Sequence, residues 1–160
     1  MLANPRTGWV TVTLGEFTDR ASYLTNVPVD CLKALIFSLE HRKPASVRID
    51  AEGWEYVITF TLDETYIVRT KGSHELFVIN KNNMDFAREV YEDIKRDYKA
   101  WLDWDEYGNG KSLYDDNIYE IPTALFDLKQ LLVIHEIGDS SKNESKYKTC
   151  PDDYSFEAGM

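Results

Sequence analysis

Cysteine is nearly missing from this chain, with only Cys31 and Cys150 among 160 residues. No Cys-x-x-Cys pair and no Cys/His cluster is present, so zinc-finger spacing and a disulfide framework are both excluded. Cys31 lies in an apolar helical pattern and Cys150 in a polar tail. The expectation is a buried thiol and an unrelated one, not a bridge. Long apolar runs are also missing: none approaches the roughly 18–20 residues of a membrane span. The opening MLANPRTGWV has no apolar core of a signal peptide, so a cytoplasmic protein is expected. Basic residues are scarce, 18 Lys and Arg against 28 Asp and Glu, for a net charge of −10. That deficit argues against direct nucleic-acid binding and against an anionic membrane surface. It favours encounter with basic partners.

Catalytic signatures are missing as well. There is no Gly-x-Ser-x-Gly elbow. His41, His74 and His135 fall at a helix end, a strand start and a late helix, with no triad pattern. GNGKS at Gly108–Ser112 ends like a phosphate-binding loop, but Asp105 stands where the first glycine belongs. Asp103-Trp-Asp105-Glu-Tyr107-Gly108 begins like a calcium loop. Tyr107 and Tyr114 then replace two oxygen ligands, so no metal and no cofactor are expected. The chain reads as a non-enzyme.

What is present is a domain-sized apolar pattern, 43% hydrophobic and 13% aromatic. WVTVTL (9–14) alternates and predicts a strand, followed by a polar connection, GEFTDRASYLTN. Pro28 opens a helix with Asn26 as a nearby cap, and Leu32, Leu35, Ile36 and Leu39 form its buried stripe. SVRIDA, WEYVITFTL, TYIVRT and ELFVIN predict four strands joined by short turns, Glu52-Gly53 among them. Such short loops require antiparallel neighbours. A long helix starts at Asn82 or Asn83, carries Phe86, Val90, Ile94, Tyr98 and Trp101 on one face, and yields near Tyr107-Gly108. A last helix begins around Pro122. Residues 139–160 lack periodicity and read as a polar, mobile tail behind a single domain of residues 1–138. The expected class is α+β: an antiparallel meander of four to five strands, with WVTVTL at an edge, packed in two layers with three helices.

One stretch concentrates the charge. DYKAWLDWDEYGNGKSLYDDN (97–117) holds two Trp, three Tyr and six carboxylates. Trp101 continues the buried stripe. Trp104, three residues on, is about 300° further round the helix and so near the stripe's edge. Trp104, Tyr107 and Tyr114 are expected to be exposed among Asp103, Asp105, Glu106, Asp115 and Asp116. Rings of low entropy cost inside a carboxylate rim suit a basic protein partner.

SYLTNVPVDCLKALIFSLE (22–40), DAEGWEYVITF (50–60) and ELFVINKNNMDFAREVYEDIKRDYKAWLDW (75–104) resemble the small bacterial immunity proteins encoded beside polymorphic or contact-dependent growth-inhibition toxins. The resemblance implies a stoichiometric inhibitor that binds a cognate toxin domain, often a basic nuclease. Two other classes fit the composition. An acidic nucleic-acid mimic needs carboxylates along a long face. A small ligand-binding domain needs a deep pocket.

Overall fold

The computed structural model describes residues 1–106 and 112–146, with side chains up to Ile137. Seven strands and four helices follow in the order β1 (Leu2–Arg6), β2 (Trp9–Leu14), β3 (Phe17–Ser22), α1 (Val27–His41), β4 (Ala45–Asp50), β5 (Glu55–Phe60), β6 (Thr65–Lys71), β7 (Ser73–Ile79), α2 (Asn83–Arg96), α3 (Tyr98–Leu102) and α4 (Asn117–Lys146). The class is α+β, as expected, with more strands than the meander alone supplies.

The meander is present. β4-β5-β6-β7 form one antiparallel sheet in sequence order. Its inner face carries Val47, Ile49, Tyr56, Ile58, Phe60 and Ile67, all buried. The expected tight turn is there too: Glu52 and Gly53 both take positive φ, and Ala51 N–H donates to the Trp54 carbonyl at 2.9 Å.

WVTVTL is not an edge of that sheet. It is the centre of a separate sheet, β1-β2-β3. β3 lies inside the stretch expected to be a polar connection. Its inward positions are Phe17, Asp19 and Ala21, and the acid in the middle hides the alternation. Asp19 is tolerated there because Arg69 pairs with it at 3.1 Å and the Trp54 indole N–H donates to it at 3.2 Å. β1 contains Pro5 and is irregular between Ala3 and Arg6, both features of an edge strand. The sheets meet where Ser22 Oγ donates to the Asp50 carbonyl and Asp50 N–H donates to Thr25 Oγ1.

Helix α1 begins at Val27 behind the cap position Asn26, with Pro28 in its first turn, and is followed by Arg42 in the left-handed conformation. It lays Leu32, Leu35 and Leu39 on the core between β4–β5, α2 and α4. Asn82 caps α2 reciprocally with Asp85, satisfying two free N–H groups of the first turn. The single long helix expected from residue 82 is two. It breaks at Asp97, and the short α3 stops at Leu102. The last helix starts at Asn117, not Pro122, and its backbone continues to Lys146. Residues 147–160, most of the expected tail, lie outside the described residues.

Candidate acidic interface

The geometry of the acidic segment follows from the end of α3. Since the helix stops at Leu102, the helical wheel no longer governs Trp104. The chain turns back, and Trp104 is 1% exposed, edge-on to Trp101 with ring centroids 6.0 Å apart. The expectation that Trp104 is exposed is therefore corrected, and Trp101 is core as expected. Asp105 is also buried, at 1% exposure. Its carboxylate accepts from Ser112 Oγ at 2.9 Å, Leu113 N–H at 2.5 Å and Tyr114 N–H at 3.1 Å. Three donors at one carboxylate make Asp105 the organiser of its loop, not a group free to meet a partner.

Asp103, Glu106, Asp115 and Asp116 are exposed, as expected of a charged rim. Tyr114 is half-buried, and its hydroxyl donates to the Tyr23 carbonyl at 2.8 Å. Tyr107 lies outside the described residues.

The loop returns the chain to the start of α1. Asn26 Nδ2 donates to Asn117 Oδ1 at 2.9 Å, which joins the first residue of α4 to the α1 cap. Asn26 makes this bond in place of a side-chain cap on its own helix. A cleft of about 480 Å³ opens there, lined by Leu24, Asn26, Asp30, Arg48, Asp50 and Tyr114. Sequence reading missed Leu24, Asp30 and Asp50 because they lie far back along the chain from the acidic segment, in the β3–α1 connection, α1 and β4.

Both signs of charge meet at the cleft, Asp30 and Asp50 against Arg48, with Lys33 close enough to act on Asp30. Burial raises the Asp30 carboxyl above its ordinary value; Lys33 opposes this and Glu120 adds to it. Lys33 already pairs with Glu120 at 2.8 Å. Arg48 pairs with Glu55. The Tyr114 phenol is raised by burial first, then by Asp30 and Asp105. Loss of water, ahead of any neighbouring charge, is therefore the first cause at both Asp30 and Tyr114. Around the cleft and loop, Leu24, Leu113 and Tyr119 are more than half exposed.

Other chemistry finds less support. Cys31 is fully buried, and burial pushes its thiol up, away from the reactive thiolate. Among the described residues, no group of three or more His, Cys, Asp or Glu is placed to hold a metal ion. No helix of the described residues is long and apolar enough to cross a membrane. No protein-family model matches the chain, and no curated protein or solved structure matches it either.

Proposed function

We propose that this chain is an immunity-type inhibitor that binds a basic toxin domain through the Asp30–Asp50–Tyr114 cleft and its rim. The observation that carries the reading is the cleft that brings Asp30 and Asp50 together beside Leu24 and Tyr114; burial raises the Asp30 carboxyl there, and Lys33 offsets only part of that. A cationic side chain entering the cleft would favour the charged form of the half-buried Asp30, adding to what Lys33 already supplies. Asp115 and Asp116 extend the negative field, while Leu24, Leu113 and Tyr119 supply apolar contact area. A compact acidic concavity suits one docked domain better than a long nucleic-acid mimic would.

The test needs a toxin domain encoded next to this chain. The variant Asp30→Asn/Asp50→Asn is expected to speed dissociation and cost about 2 kcal/mol or more of binding. Reversing Asp115 and Asp116 to Lys is expected to slow association and flatten its salt dependence. Folded variants that protect cells as well as the parent chain would overturn this interface. A neighbouring gene with no toxin would overturn the reading as a whole.

A further inference from the structure

We propose that the outer face of β1-β2-β3 is a binding site for a phosphate-bearing small molecule. The register places Arg6 opposite Trp9 and Arg20 opposite Thr11. Between them lies a concavity of about 460 Å³ lined by Asn4, Arg6, Thr7, Trp9, Thr11 and Arg20, within the usual range for a small ligand.

Two arginines meet there without a counter-ion. In this acidic chain Arg48, Arg69, Arg88 and Arg96 each pair with a carboxylate. Among the described residues, Arg6, Arg20 and Arg42 pair with none, and the first two share this concavity. Arg20 is held by rings instead, its guanidinium 4.4 Å from the Trp9 centroid and 5.0 Å from that of Trp54. Cation–π contacts orient the fork and leave its N–H edges available.

The backbone under the site is unusual and fixed. Asn4 and Thr7 take φ of 56° and 48°, two of four non-glycine residues in the left-handed region among the described residues. For Thr7, a β-branched residue, this is an outlier, and strained backbone clusters where a ligand is held. The adjoining Gly8 is clamped on both sides: its N–H donates to the Trp104 carbonyl at 2.6 Å and its carbonyl accepts from Tyr23 N–H at 2.8 Å. A Cβ at Gly8 would meet Tyr23 Cδ1 at 2.8 Å. The turn carrying the site is therefore pre-organised by the core.

The donor set selects the ligand. Two guanidinium forks with the Asn4 amide and the Thr7 and Thr11 hydroxyls offer donors from several directions. A tetrahedral phosphate uses more of them than a planar carboxylate can. A long polyanion is disfavoured because it would run from this patch across a surface of net charge −10.

Phenyl phosphate is the test probe, titrated into the full chain at fixed ionic strength. Chemical shifts of the Trp9 indole N–H and the Arg20 Nε–H are the readout. Saturable shifts at both groups are expected. Arg6→Gln and Arg20→Gln should each weaken binding about tenfold or more, with unchanged circular dichroism. If Arg20→Gln unfolds, Arg6→Gln decides alone, because that side chain makes no hydrogen bond or ion pair among the described residues. Benzoate binding as tightly as phenyl phosphate would overturn the phosphate assignment. Octathymidylate binding more tightly would overturn the small-molecule assignment. Non-saturating shifts, or parent-like binding by folded Arg6→Gln, would overturn the site.

Discussion

Thr7 and Gly8 join β1 to β2 in a two-residue turn with both φ positive, the geometry that favours Asn-Gly. Thr7→Asn should raise stability by about 0.5–1 kcal/mol, because Asn tolerates the left-handed region that a β-branched residue resists. The midpoint of urea unfolding measures it, and an unchanged or lower midpoint would show the turn unstrained. Asp93 works through hydrogen bonds. Its carboxylate accepts from Leu2 N–H at 2.7 Å and from Arg96 at 2.9 Å, and pairs with the Met1 amino group. Burial alone would raise this carboxyl, but these partners outweigh it and hold it below its ordinary value. A lowered carboxyl contributes stability that is present above its unfolded value, near 3.8, and lost as pH falls through the folded one. Asp93→Asn should therefore cost about 2 kcal/mol at neutral pH. The gap from the parent chain should narrow below pH 4 or so. A gap that stays constant down to acid pH would mean that the charge contributes nothing.

At the scale of elements, the break between α2 and α3 decides the fate of the two tryptophans. Trp101 and Trp104 are buried edge-to-face, and neither indole N–H finds an acceptor among the described residues. Trp104→Phe keeps most of the packing and removes an unsatisfied donor, so it should cost under about 1.5 kcal/mol. Trp104→Ala should cost about 3–5 kcal/mol by leaving a cavity. Equal losses in the two thermal unfolding experiments would mean that indole-specific contacts, not volume, hold this corner. Elements with clean periodicity were legible from sequence: the α1 stripe, the α2 cap and the four meander strands. β3 was hidden because Asp19 occupies an inward position, acceptable only with Arg69 and Trp54 beside it. The end of α3 was hidden because neither Gly nor Pro marks it.

Across the whole molecule, the surplus of carboxylates over Lys and Arg gives a net charge of −10 that opposes compaction. Sodium chloride raised from low concentration to about 0.5 M should raise the thermal midpoint, as screening relieves that repulsion. A falling midpoint would show that ion pairs such as Asp19–Arg69 outweigh it. By itself the sequence determined what depends on local order: the class, the meander with its short turns, and the exposed Asp103, Glu106, Asp115 and Asp116. Only the tertiary structure decided what depends on distant partners. It turned Trp104 and Asp105 inward, because a side chain's burial is set by what packs against it and not by its polarity. It also brought Asp30, Asp50 and Tyr114 to one cleft, and Arg6, Trp9 and Arg20 to one sheet face. Pairing of strands and docking of helices join residues whose spacing along the chain carries no trace of their contact.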